Sequence, residues 1–123
     1  MSINGAMSHS PDPFFMVGGA VNAAFLNFTK ALSKKGLVDG VNVNSINPGM
    51  TSTDRLITII QNNADREGIS FAEAEKKALN NIGLDRFGTP KEVADLTYFL
   101  CDPKMRHLTG TEINLDGGKK TTI

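Results

Sequence analysis

The sequence lacks the features that define several large classes of protein. Among its 123 residues, 13 lysines and arginines balance 13 aspartates and glutamates. A nucleic-acid-binding surface needs a basic face to neutralise phosphates. No apolar run approaches the roughly 18–20 residues that span a membrane, and the amino terminus has neither the basic start nor the apolar core of a secretory signal. We therefore expect neither nucleic acid nor a membrane as a partner.

Cysteine and histidine are also scarce. Cys101 is the single cysteine, so no internal disulfide can form, and we expect a reducing compartment, the cytoplasm. The two histidines, His9 and His107, cannot complete a zinc cluster with one thiol, and their spacing offers neither a catalytic nor a metal-binding partner. We therefore predict no metal site.

Charge is nearly absent from the first part of the chain. Residues 51–110 carry most of the charged side chains, in mixed signs. A segment so poor in charge is expected to be covered on several sides, by its own fold or by a partner. Residues 1–50 carry only Asp12, Lys30, Lys34, Lys35 and Asp39.

Residues 13–35 are expected to form a long helix. Val17, Val21 and Phe28 recur at helical spacing, and Gly36 stands where the helix would end. A helix that is apolar nearly all round is normally sandwiched between other elements. Two arrangements fit: a central core helix, or a helix with one face on a sheet and another on a second subunit.

The rest of the chain alternates strands and helices. Because helices separate the strands, we predict an α/β fold with two or three parallel strands and helices packed on them, in a single domain over 1–123. The predicted elements are a strand stump at 1–4, a strand at 41–46, a short helix after Thr53-Asp54, helices at the capping boxes Ser70–Glu73 and Thr89–Glu92, and a strand at 111–116.

Four segments together resemble the short-chain dehydrogenase/reductase family. They match only the carboxyl-terminal half of that family's domain, so the resemblance implies a partial Rossmann-like, doubly wound fold. The resemblance implies an oxidoreductase that uses NAD or NADP and acts on a small-molecule carbonyl or alcohol. The segments are the long-helix sequence NAAFLNFTKAL at 22–32, the strand and loop VNSINPGMTST at 43–53, the helix start RFGTPKEVA at 86–94 and the closing LTGTEINLDGG at 108–118.

The resemblance assigns a cofactor role to the turn that follows the first long strand. In α/β sheets, ligands bind in the crevice at the carboxyl ends of the strands. In this family the corresponding loop faces the nicotinamide ring and its ribose. Pro48, Gly49, Met50 and Thr51 are therefore the predicted cofactor-binding residues.

The family's catalytic residues have no counterparts here. Gly18 and Asn22 align with the tyrosine and lysine of Tyr-x-x-x-Lys, and the serine position falls near Gly5. Tyr98, the single tyrosine, lies in the penultimate helix, so we name no catalytic residue. No Gly-rich phosphate loop is present either, which predicts poor cofactor binding by this chain alone.

Two functions follow from these features. One is an NAD(P)-dependent oxidoreductase present as a carboxyl-terminal fragment that is inactive alone. The alternative is a non-catalytic oligomerisation or interaction module derived from that fold. In either case the resemblance implies a homo-oligomer formed through the 13–35 helix, with Phe14, Val21, Phe25 and Phe28 in the contact.

Overall fold

The fold was obtained as a computed structural model that describes residues 1–119. The described residues form an α/β fold, as predicted, with a parallel sheet and helices packed on it. In chain order the elements are β1 (Ser2–Ile3), α1 (Met16–Asp39), β2 (Ser45–Pro48), α2 (Asp54–Glu67), α3 (Phe71–Ile82), α4 (Pro90–Leu100) and β3 (Glu112–Leu115), with short 3-10 turns at Ala6–Ser8 and Pro103–Met105.

The sheet has the strand order β1-β2-β3, and both pairings are parallel. Ser45 of β2 lies opposite Ser2 on one side and Glu112 on the other. This confirms the parallel pairing of the two main strands and the strand stump at the amino terminus. β2 begins later than residue 41, because the Val43 amide donates to the Thr109 hydroxyl at 2.9 Å rather than to a strand backbone.

The prediction that the long helix ends at Gly36 is wrong. α1 continues to Asp39 and ends at Gly40, whose φ of 68° is the left-handed conformation that glycine adopts at helix ends. Gly36 is buried inside the helix, and a Cβ atom there would lie 2.5 Å from the carbonyl oxygen of Val41. The glycine therefore permits close approach of the chain returning toward β2.

α1 buries its small and polar residues and exposes its large apolar ones. Thr29, Ser33 and Gly36 are its buried residues, and the Thr29 hydroxyl lies 3.3 Å from the Ser2 hydroxyl of β1. The opposite side is open, with Val21 61% exposed and Phe28 57% exposed. Within this chain α1 is therefore not a central core helix. Despite its length, neither α1 nor any other helix described between residues 1 and 119 is apolar enough over a sufficient stretch to cross a membrane.

Residues 54–87 form a helical pair with a small core of its own. The Thr53 hydroxyl accepts a hydrogen bond from the Leu56 amide and starts α2, which runs for 14 residues and is longer than the short helix predicted. Both predicted capping boxes are present, with Ser70 and Glu73 starting α3, and Thr89 and Glu92 starting α4. The buried cluster consists of Leu56, Ile60, Ala64, Ala74 and Phe87.

The role of Gly36 can be tested by adding one methyl group. Gly→Ala inside a helix ordinarily stabilises by roughly 1 kcal/mol. At residue 36 the methyl group meets a backbone carbonyl that cannot rotate away, so we expect Gly36→Ala to lower the free energy of unfolding by about 1–3 kcal/mol in urea titrations. The neighbouring Lys35→Ala, at an exposed position, should change it little. A stabilising Gly36→Ala would contradict this packing.

Candidate functional site

The predicted cofactor loop leaves the sheet at the carboxyl end of β2. Its four residues, Pro48 to Thr51, are half-buried. The Gly49 amide donates to the Leu115 carbonyl at 3.0 Å, which continues the β2–β3 pairing into the loop. A Cβ atom at residue 49 would lie 2.9 Å from Cα of Asp116, so close packing on the end of β3 accounts for this glycine.

The loop is held on its other side by Gly88. The Gly88 amide donates to the Met50 carbonyl at 3.0 Å, and the Ser52 amide donates to the Gly88 carbonyl at 2.8 Å. These two bonds form a parallel bridge between Thr51 and Gly88. In such a bridge the N–H and C=O of the central residue point away from the partner. The backbone N–H and C=O of Thr51 therefore lie on the side opposite Gly88, where the carbonyl accepts one hydrogen bond from the Thr53 hydroxyl at 3.3 Å.

A charged cluster fixes the turn that carries Gly88. Arg86 donates through both terminal nitrogens to the Glu92 carboxylate, at 2.8 and 3.1 Å. The same carboxylate accepts from the Thr89 amide at 2.7 Å and the Thr89 hydroxyl at 3.0 Å. The hydrogen bonds from Arg86, followed by those from Thr89, lower the pKa of Glu92 to about 2. The carboxylate ties residues 86–89 to the start of α4.

A cavity of about 240 Å³ lies beside the loop and the turn. Its wall joins the end of β3 to the 86–92 segment and reaches the predicted cofactor loop at Met50. The sequence of the 86–92 segment indicates only a helix start. The pairing of Gly88 with the loop has no signal in the sequence. The lining includes Met50, Leu84, Arg86, Gly88, Glu92 and Asp116.

The three positions that align with the family's catalytic residues lie together. Gly18 is one turn before Asn22 on α1, and a Cβ atom at Gly5 would lie 2.4 Å from Nδ2 of Asn22. Tyr98 lies elsewhere, on α4, and is 83% exposed. The alignment is thus spatially consistent, and it places two glycines and an asparagine where the family has a serine, a tyrosine and a lysine.

His9 has a partner that sequence spacing could not indicate. Its Nε2 lies 2.7 Å from Oε2 of Glu112, 103 residues away, and the other carboxylate oxygen accepts from Nδ2 of Asn47. The pair ties the turn after β1 to β3. Within residues 1–119, no group of three or more histidine, cysteine, aspartate or glutamate side chains is arranged to hold a metal ion.

Comparison with known proteins identifies the family. Residues 1–120 match the family described as enoyl-(acyl carrier protein) reductase. The NADPH-dependent reductase BacG of Bacillus subtilis is 30% identical over all of this chain and 48% of its own length. A short-chain dehydrogenase family protein from Francisella tularensis superposes with a TM-score of 0.90 at 31% identity, covering 98% of this chain and 50% of that one. The chain belongs to the short-chain dehydrogenase/reductase family of oxidoreductases.

A third relative is also a solved oxidoreductase. A short-chain oxidoreductase from Pseudomonas aeruginosa PAO1, solved with NADPH, is described as containing an atypical catalytic centre. It superposes with a TM-score of 0.81 at 25% identity, covering 98% of this chain and 45% of that one. The chain thus spans about half the length of the relatives it matches.

The Glu92 cluster predicts a specific dependence of stability on pH. The folded pKa of about 2 lies below the ordinary value of 4.5, so the contribution of Glu92 is complete above pH 4.5 and is lost as the pH falls toward 2. We expect Glu92→Gln to be less stable than the parent at pH 7, with the difference disappearing near pH 2. Thermal unfolding across this range measures it, with Glu75→Gln as a control outside the cluster. A stability difference that does not change with pH would contradict the assignment.

Proposed function

We propose that this chain supplies the nicotinamide-facing part of an NAD(P)-linked oxidoreductase site and does not catalyse hydride transfer by itself. The observation that carries this proposal is the backbone of Thr51, which the bridge to Gly88 leaves with a donor and an acceptor turned outward. The dinucleotide is NAD or NADP, and the NADPH dependence of the Bacillus relative supports this cofactor class.

The loop fits the nicotinamide end of such a cofactor. A carboxamide has an NH₂ donor and a carbonyl acceptor. These complement the N–H of Thr51 and the lone pair of its C=O that the Thr53 hydroxyl leaves free. Pro48 and Gly49 set the direction of the loop as it leaves β2, and Met50 lines the cavity beside it. When bound, the cofactor would carry the hydride, while the residues of this chain hold and orient its ring.

The proton half of the reaction has no donor at the aligned positions. Reduction of a carbonyl needs a general acid at the oxygen, and losing one typically costs about 10²–10⁴-fold in rate. Glycine at 5 and 18 has no side chain, and the amide of Asn22 does not titrate. The 123 residues also contain no Gly-rich loop to bind a pyrophosphate. The absence of a proton donor at these positions and the absence of a Gly-rich loop both support a site that is inactive in isolation.

The substrate of the complete site would be a small-molecule carbonyl or alcohol, as in the oxidoreductases of this family. We also propose a cytoplasmic location. It rests on the single cysteine, Cys101, which is free and exposed.

Binding of reduced nicotinamide mononucleotide tests the loop without requiring a pyrophosphate site. We expect weak binding that shifts the NMR signals of the 49–52 amides. Thr51→Pro removes the outward N–H but leaves the Met50 and Ser52 bonds to Gly88, so it should weaken binding by roughly threefold to tenfold, the value of one hydrogen bond. Thr51→Ala keeps the N–H and is the matched control.

Two outcomes would contradict the proposal. One is a set of shifts that leaves residues 49–52 unchanged, which would remove the cofactor role. The other is NADPH oxidation, followed by absorbance with a panel of ketones and aldehydes, at a rate above the buffer rate. Such turnover would show that a proton donor exists outside positions 5, 18 and 22.

A second function, assembly, is favoured by the exposed apolar side of α1. On this side Val21 is 61% exposed and Phe28 is 57% exposed. Phe25 and Phe28 stack at 6.2 Å between ring centroids on the open side of α1. We propose that a second copy of the chain covers this side, so that the 13–35 segment forms a homo-oligomer contact.

The contact is tested by adding one charge to α1 at two places. Val21→Lys places an ammonium group in the exposed apolar stripe and should shift the chain toward monomer in sedimentation velocity. Asn27→Lys adds the same charge at an exposed position about a third of a turn away from the Val21–Phe28 stripe and should leave association unchanged. A parent chain that sediments as a monomer, or equal effects of the two variants, would contradict the proposed contact.

A further inference from the structure

The corner formed by Gly5, Gly18 and Asn22 is occupied by the side chains of Phe15 and Asn22. The ring of Phe15 lies directly on the backbone of Gly18: a Cβ atom at residue 18 would be 2.2 Å from both Cε1 and Cζ of that ring. A side chain at residue 18 therefore requires the Phe15 ring, which is 37% exposed, to swing aside.

The same relation holds at Gly5. A Cβ atom there would be 2.4 Å from Nδ2 and 3.2 Å from Cγ of Asn22. The Asn4 side chain donates to the backbone carbonyl of Asn22 at 2.9 Å, which fixes this turn of α1 against the end of β1. The amide of Asn22 thus occupies the space that a side chain at residue 5 would need.

We propose that the side chains of Phe15 and Asn22 close this corner of the site. Each lies where the Cβ atom of one missing catalytic side chain would be, so a phenol on α1 can enter the corner only if Phe15 moves. Restoring Tyr-x-x-x-Lys at residues 18 and 22 would then not rebuild a proton relay while Phe15 remains. This inference concerns packing in the corner and does not depend on whether the Pro48–Thr51 loop binds a nucleotide.

The neighbouring phenylalanine shows that the arrangement is specific. Phe14 is 85% exposed, and its ring lies 5.6 Å from the guanidinium carbon of Arg66 on α2. Phe15 instead begins α1 as its N-cap without a side-chain capping bond, with its ring on Gly18. Phe14 therefore provides a matched control of the same residue type.

A double-mutant cycle tests the steric part of the proposal. We expect Gly18→Ala to lower the melting temperature by about 3 °C or more in the parent, since the ring must leave. In a Phe15→Ala background, Gly18→Ala should raise the melting temperature, because alanine is the better helix former. In a Phe14→Ala background, Gly18→Ala should lower the melting temperature, as it does in the parent. Gly5→Ala should likewise be tolerated only with Asn22→Ala. Equal effects of Gly18→Ala in all three backgrounds would overturn the proposal.

A phenol titration tests whether the corner is closed to a side chain on α1. It measures the pKa of an added phenol, which a change in stability alone does not shift. Tyr98→Phe removes the native phenol, and Gly18→Tyr with Asn22→Lys adds one phenol and an ammonium group one turn apart. With Phe15 present, the added phenol should titrate near its ordinary pKa of about 10. With Phe15→Ala, it should pack beside the lysine, and its pKa should fall by about one unit. Absorbance at alkaline pH measures both, and the same pKa in the two proteins would overturn the closed corner.

Discussion

The pairing of Gly88 with residues 50–52 is the contact on which the geometry of the candidate site depends. Two backbone hydrogen bonds join the loop after β2 to the turn before α4, across an excursion that contains both α2 and α3. Without them the loop would keep the Gly49 bond to Leu115 and the packing of Met50 on the buried cluster, but no hydrogen bond to the 86–89 turn. The pairing orients Thr51 before any ligand arrives, and preorganised donors and acceptors bind at a lower entropic cost.

The turn that carries Gly88 is held in place by the Glu92 carboxylate. Glu92 is the N3 residue of the α4 capping box and also the partner of Arg86, so one carboxylate accepts hydrogen bonds from both sides of the turn. A charge-assisted bidentate pair is stronger and more directional than a neutral hydrogen bond. Glu92 thus couples the start of α4, the salt bridge to Arg86 and the orientation of the cofactor loop.

The elements defined by local contacts could be predicted from the sequence. Ser70–Glu73 and Thr89–Glu92 start helices because a capping box needs only four neighbouring residues. The parallel pairing followed from the helices between the strands. The positions Pro48 to Thr51 were found through the motif at a strand end, although their role stays a proposal.

The features that depend on contacts between distant residues could not be predicted. Gly36 looks like a helix stop in the sequence, yet it lies inside the helix, where the carbonyl of Val41 leaves no room for a side chain. The apolar residues of α1 suggested a core helix, but its seam with the sheet is made of small and polar residues. The ring of Phe15 on Gly18 and the Gly88 bridge likewise appear only once the chain is folded.

Amide hydrogen exchange of the chain without ligand tests the central claim most directly. The account predicts slow exchange for the amides of Gly49, Ser52 and Gly88, which donate to Leu115, Gly88 and Met50. The Thr51 amide, which points away from Gly88, should exchange much faster than its neighbours. Fast exchange at Gly88 and Ser52, or protection of Thr51 equal to theirs, would show that the loop is not held in the orientation on which the proposed function rests.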